Sequence, residues 1–315
     1  MAIEELPLAV PTGEIAEPAR RSRGLWGDAF GELLRKRSAV VGLVLLAILV
    51  LVAVFAPLIA PYEPNEVLLG QEGVELRDPP CVHLFGCDDA KTQHIAGIDG
   101  NGRDEFSRLV FGARISLVAG LGAVSFAVAV GTLLGLVSGF FGGWLGNVIM
   151  RVMDVLLAFP ALLLAITIIT VLGPGLFNAI LAITIVTIPV YARVVRASVL
   201  SIREMDFVDA DRALGVSAAR ILWHRILPNS LTPLVVQATL GIATAVLEIA
   251  ALSFLGLGIQ PPTAEWGSML ASERNQVFTS PHLVFFPGLA IMVNVLAFNL
   301  IGDGFRDALD PRLNR

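Results

Sequence analysis

The sequence predicts an all-α membrane protein with six transmembrane helices, and three observations carry that prediction. Of 315 residues, 55% are hydrophobic and only 16% are charged, a balance that belongs to membrane chains. The apolar residues gather in long blocks near 38–60, 115–141, 148–172, 177–200, 231–257 and 283–302. A helix of that length crosses the hydrocarbon core of a bilayer. The blocks are continuously apolar, which excludes the period-two alternation of a transmembrane β-barrel.

The elements come in this order. Residues 1–24 form a tail of Glu, Pro, Ala and Arg without periodicity, expected to be disordered. Within 25–60, the stretch "LWGDAFGELLRKR" (25–37) places Leu25, Trp26, Phe30, Leu33 and Leu34 on one helical face. It reads as a helix on the membrane surface or as a plain extension of the first span. That span begins too late and runs too long for a cleaved signal peptide. Residues 61–114 form the largest loop, expected outside the cytoplasm. Residues 115–302 are the transmembrane core, interrupted by a cytoplasmic segment at 201–229, and 303–315 are a cytoplasmic C-terminus.

Span two carries Gly131, Gly135 and Gly139, a small residue every four positions, where another helix of the same chain can approach closely. Pro160 and Pro189 are expected to kink spans three and four. Arg151 and Asp154 are expected to pair along one helix face.

Orientation is set by the basic residues. Sixteen of the 22 Lys and Arg residues lie before span one, at Arg151 near the start of span three, from Arg193 at the end of span four through to span five, or after span six. Six lie on the other side, in a much larger loop area. Both termini and the 201–229 segment are therefore expected in the cytoplasm.

That segment contains "DADRALGVSAARILWHRILPN" (209–229), amphipathic and charged between two apolar runs. Residues 206–214 predict a short helix with Asp206 as N-cap, Asp209 in the first turn and Gly215 in the left-handed position after it. Phe207, Ala210 and Leu214 share one face. A second amphipathic turn leads to Pro228, expected to break the helix before span five. The segment is either a docking helix for a cytoplasmic partner or a surface connector, and spacing alone leaves both readings open.

"DADRALG" followed by "ILP" resembles the EAA loop of ABC importer permeases. Four further blocks occur in the same order: "GIDGNGRDEFSRLVFGARISL" (97–117), "RVMDVLLAFPALLLAI" (151–166), "LEIAALSFLGLGIQPPTAEWGSML" (247–270) and "FPGLAIMVNVLAFNLIGDGFRDALDPRL" (286–313). Together they resemble the dipeptide/oligopeptide/nickel permeases, in the subunit with an N-terminal extension, over most of 25–313. The resemblance implies the type I ABC importer transmembrane domain. It implies transport of di- or oligopeptides, with nickel or another small solute as the alternative cargo on the same scaffold. It also implies a homologous second permease, two ATP-binding-cassette ATPase subunits, an extracytoplasmic solute-binding protein and surrounding lipid, with no nucleic acid.

Carried onto this chain, the coupling loop comprises Asp206, Phe207, Asp209, Ala210, Asp211, Ala213, Leu214, Gly215, Leu227 and Pro228. Asp211 stands where the family keeps a small apolar residue. The family signature "HPFGTD" aligns with His94, Gly97 and Asp99 without a gap, while "HLFGCD" (83–88) resembles it too, and both placements remain open.

The chain itself is expected to be non-catalytic and to bind no cofactor. A P-loop needs Lys directly after Gly, and the two lysines come after Arg35 and Ala90. ATP and Mg are therefore expected on the partner ATPase subunits.

Cys81 and Cys87, with His83 and His94, spell C-x-H-x3-C-x6-H. A local disulfide, two free thiols and a metal site are the three readings, and the first needs the fewest coincidences. Glu248 is the carboxylate deep in an apolar span. It is either part of a translocation path or a helix–helix hydrogen-bonding residue. A secondary transporter working alone is the reading from a different class. That class normally carries functional charges or broken helices near the midplane, and Glu248 is nearly the only such charge here.

Overall fold

The computed structural model describes residues 31–70, 74–85, 87 and 92–309. The predicted tail, Leu25, Trp26 and Phe30 of the N-terminal stretch, and the last six residues lie outside the described residues. Helix α1 spans Arg37–Val54 and a short α2 spans Ala56–Ile59. A cap of turns and isolated bridges comes next. Then come α3 (Glu105–Phe141), α4 (Gly143–Leu157), α5 (Ala161–Leu172) and α6 (Leu176–Ile202). The short α7 (Asp206–Ala213) precedes α8 (Ala218–Ile221) and α9 (Leu227–Phe254), and α10 (Trp266–Glu273) and α11 (His282–Ala308) complete the chain.

Among the described residues, five helices are long and apolar enough to cross a membrane: α1, α3, α6, the run Ala218–Phe254 and α11. The block predicted as one span at 148–172 is instead two helices, α4 and α5, bent by 92°. Pro160 is the reason. Its ring disfavours helical backbone at Phe159, and Pro160 itself takes an extended conformation (ψ 127°) as the N-cap of α5. Pro189, by contrast, lies inside an unbroken α6.

Topology shows what the bent pair does. Gly131, Gly135 and Gly139 of α3 meet Tyr191, Val195 and Val199 of α6 in ascending order, so the two helices run parallel. The α4–α5 pair between them must therefore carry the chain back, as a sixth crossing.

The seam between α3 and α6 is backbone-close. A Cβ on Gly135 would lie 2.7 Å from the Ala192 carbonyl oxygen, and one on Gly139 would lie 2.8 Å from Val199 Cβ. The main core fills in around this seam, with Ala123, Ala127, Ile183, Val195 and Ile249 all buried. A second core joins α1, α3, α9, α10 and α11 around Trp266 and Phe298. Leu33 is fully buried against Ala39 and Ala308, while Leu34 is exposed.

The cap is held by polar groups. Asp104 is the N-cap of α3, its carboxylate accepting from the Ser107 N–H at 2.8 Å and the Ser107 hydroxyl at 2.7 Å. Its other oxygen lies 2.9 Å from His94 Nδ1. Asp99 accepts from the N–H groups of Asn101 and Arg103 and from Arg103 Nε at 2.7 Å. Arg77 Nε and the Gly100 N–H both donate to Glu273, tying the cap to α10. A well-capped α3 explains why this helix starts about ten residues before the predicted span, at Glu105.

The seam makes a direct prediction. Gly135→Ala forces a methyl group onto backbone and should cost about 1–3 kcal/mol. Gly122→Ala, whose Cβ would sit in ordinary contact 3.8 Å from Ile180, should be neutral or slightly stabilising. Thermal unfolding midpoints of the two purified variants check this, and equal midpoints would count against the seam.

Candidate functional site

The candidate site lies at the end of the bundle away from the cap, where α6 leaves the core and α7 begins. Met205, in extended conformation, occupies the N-cap position of α7. Asp206, expected there, is instead the first helical residue. The difference has little effect, because Asp206 and Asp209 both stay in the first turn and Arg212 in the last, complementing the helix dipole.

The C-terminal end is more tightly specified. Gly215 takes φ +76°, the Gly215 N–H donates to Arg212 O, and the Val216 N–H donates to Asp211 O, both at 3.0 Å. These two bonds are a Schellman closure, which a glycine in the left-handed region makes without steric cost.

One residue holds α7 against the body. Val208 is completely buried and packs into the main core that also contains Ile202, Ile221 and Ile226. Burying it contributes roughly 1.5–3 kcal/mol. The opposite face is left open: Leu214 is 81% exposed and Phe207 40%. Ala210 and Ala213 are exposed beside them. Four apolar side chains on the outer face of a short, charged helix form a surface that a partner can cover.

Asp211, which departs from the family pattern, has a partner that sequence spacing did not reveal. Its Oδ2 accepts from Arg225 Nε at 2.8 Å, although fourteen positions separate them. Asp211 is only 14% exposed, so its carboxylate points back toward the body and away from the open face. Arg225 lies in a π-helical turn at Leu222–Ile226, where Leu222 and Ile226 face the core. Such a widened turn inserts an extra residue and rotates the helix beyond it. Pro228 does not break the helix as expected. It follows directly on the widened turn, and the run from Ala218 to Phe254 stays continuous. Leu227 is half-buried, and His224 lines a shallow depression with Asp211, Val216, Arg220 and Arg225.

The other singled-out residues lie elsewhere. Asp154 pairs with Arg193 of α6 at 2.5 Å, and not with Arg151 along its own helix. The close packing of α4 on α6 around Met150, Met153 and Ala192 brings Arg193 nearer than the helical neighbour. Glu248 is half-buried in α9, and one carboxylate oxygen is buried without a hydrogen-bond partner among the described residues. A disulfide joins Cys81 to Cys87, with their Cα atoms 5.4 Å apart. Among the described residues no group of three His, Cys, Asp or Glu side chains is arranged to hold a metal ion. His94 is buried in the cap network with Gly97 and Asp99, whereas His83 lies on a short 3-10 turn.

Residues 131–315, more than half of the chain, match the family described as binding-protein-dependent transport system inner membrane component. The chain belongs to that family. It is a multi-pass inner-membrane permease subunit of the ABC importer type. Residues 24–80 match the N-terminal TM domain of oligopeptide transport permease C.

Among this permease's relatives is the dipeptide transport system permease protein DppC of Alkalihalophilus pseudofirmus. It is 47% identical over 91% of this chain and 90% of its own length. The di/tripeptide transport system permease protein DppC of Pseudomonas aeruginosa is 46% identical over 88% and 89%. The glutathione transport system permease protein GsiD of Escherichia coli is 42% identical over 99% and 96%. Among solved structures, an inward-facing MetNI methionine ABC transporter chain superposes with a TM-score of 0.52. It is 20% identical and covers 64% of this permease and 96% of that chain. At that identity the likeness concerns the fold.

The disulfide yields its own expectation. With both cysteines of the chain bridged, maleimide should leave the purified permease unlabelled until a reductant is added, and then attach at two sites. Labelling of the untreated protein, read by intact mass, would show that the thiols are free.

Proposed function

We propose that this chain is one of two homologous permeases lining the path of an ATP-driven importer of short peptides. The observation that carries the reading is α7. Its apolar face of Phe207, Ala210 and Leu214 is turned outward, while Val208 fixes the helix to the body and the Gly215 closure ends it. An outward apolar face held rigidly is suited to the groove of a partner, and in this family that partner is an ATPase subunit. ATP and Mg bind there, since this chain lacks a P-loop lysine.

In this reading α7 and both termini lie in the cytoplasm, in keeping with the excess of arginine on that side. The cap faces outward, where a disulfide persists and a solute-binding protein delivers cargo. Short peptides are the favoured cargo because the dipeptide, di/tripeptide and glutathione permeases share more than 40% of their residues with this chain. ATP binding and hydrolysis then shift the paired permeases between two packings, biased by whichever partner is engaged.

Two substitutions test α7. Leu214→Arg places a charge at the centre of the apolar face. Gly215→Val strains the left-handed turn with no steric neighbour to complicate the result, since nothing lies within 4 Å of a Cβ there. Each should lower binding-protein-stimulated ATPase activity of the reconstituted complex about tenfold or more, while Gly215→Asn should retain most of it. Co-purification of the ATPase subunits reports docking directly. Wild-type assembly and stimulation in both variants would reduce α7 to a connector.

A further inference from the structure

Between α4 and α6 the structure has an open cleft of about 480 Å³ with an unusual charge content. Its lining includes Trp144, Asn147, Val148, Arg151, Asp154 and Arg196. Arg193 neutralises Asp154. Arg151 and Arg196 make no ion pair among the described residues, so the cleft keeps two uncompensated guanidinium groups. The Nε of Arg196 is buried without a hydrogen-bond partner.

These groups lie along the bodies of their helices. Arg151 comes eight residues after the start of α4, and Arg193 nine before the end of α6. At the rise of an α-helix, both lie roughly 12–14 Å inside the helix ends. The Arg193 and Asp154 side chains are nonetheless 49% and 50% exposed. Charges that line a water-filled path are tolerated and tend to mark it.

We infer that this cleft is an anion-binding station on the translocation path, which takes the terminal carboxylate of the passing peptide. The inference rests on the proposed peptide-importer reading. Guanidinium groups match a carboxylate in geometry as well as charge and can hold it with two parallel bonds. Trp144, 79% exposed, and Val148, 40% exposed, add an apolar wall for the adjoining side chain. Asp154 keeps Arg193 engaged and limits the net positive charge, so the carboxylate is held but can leave.

The test uses the complete transporter with its partner subunits in nanodiscs, without binding protein. Val148→Cys introduces one free thiol into this chain beside the bridged pair, and its maleimide labelling is tracked by mass. The probe is alanyl-phenylalanine, compared with its C-terminal amide. The acid should slow labelling about tenfold and the amide should not. Arg196→Gln should remove the protection, and so should Arg151→Gln, whose exposed site makes a folding defect avoidable.

Equal protection by acid and amide, or protection that survives both substitutions, overturns the proposal. Slow labelling that depends on phosphatidylglycerol in the disc and ignores the peptide also overturns it, assigning the cleft to a lipid phosphate. Uptake of the same peptide by wild-type proteoliposomes with binding protein is measured in parallel. Uptake without protection sinks the cleft alone. Absence of both sinks the importer reading with it.

Discussion

The close approach of α3 and α6 is the constraint on which the rest of the permease depends. In lipid there is little hydrophobic drive to bring helices together, so association depends on van der Waals fit and on backbone proximity at small residues. Gly131, Gly135 and Gly139 supply that proximity, meeting the Tyr191, Ala192, Val195 and Val199 ridge without a side chain between. The seam runs to the end of both helices, where Arg203 donates to the Gly139 carbonyl at 3.1 Å. Arg203 is the residue directly after α6, so the same contact that packs the core fixes where the chain turns into α7. In the proposed docking role, α7 is useful only if it is tied to the spans. The glycine seam and Val208 tie it there.

The two ends of the bundle are built on different physics. At the α7 end an apolar residue fixes the helix and its ion pairs, Asp209–Arg212 and Asp211–Arg225, involve exposed partners. At the cap end the fixing groups are buried charges: Asp99, Arg103, Asp104 and Arg108 are all buried. Charges buried together with their hydrogen bonds satisfied specify one arrangement, and removing any partner leaves an unpaired charge behind. Arg108 illustrates the reach of that network, donating to the Pro64 and Pro262 carbonyls as well as facing Asp99. The cap network is therefore bound to α3 and α10, while the α7 face is left open.

Much of this was legible in the sequence because it is local. Apolar blocks of membrane length, Gly every fourth residue, and Gly215 after a short amphipathic run each carry their meaning within one helix or turn. The illegible features depend on neighbours distant in sequence. Pro160 and Pro189 look alike as isolated prolines, yet one sits at a 92° bend and the other inside a continuous helix. Pro228 reads as a breaker until the π-turn before it brings it into the first turn of α9. Asp154 has a plausible helical neighbour in Arg151 and takes Arg193 instead, because α4 lies on α6. Among the candidate site residues the open face of α7 was predictable from periodicity. The anchoring role of Val208 was available from the same periodicity, as the face opposite Leu214. A single valine among charged residues is a faint signal beside the longer apolar line of Phe207, Ala210 and Leu214.

Asp211 shows how a carboxylate on the inner side of α7 is accommodated. A small apolar residue at that position would leave the inner edge of α7 quiet. A carboxylate there must find a cation or suffer the full cost of desolvation, since the site is 14% exposed. The π-turn answers this need by its extra residue, which rotates Arg225 toward α7 while Leu222 and Ile226 keep their places in the core. The pair then spans α7 and the helix leading into α9, two elements otherwise joined by the turn at 214–217. Because Asp211 lies off the line of Phe207, Ala210 and Leu214, the added charge is neutralised inside the permease and the outward face keeps its apolar character. The pair thus ties α7 to a second span, α9, in addition to α6.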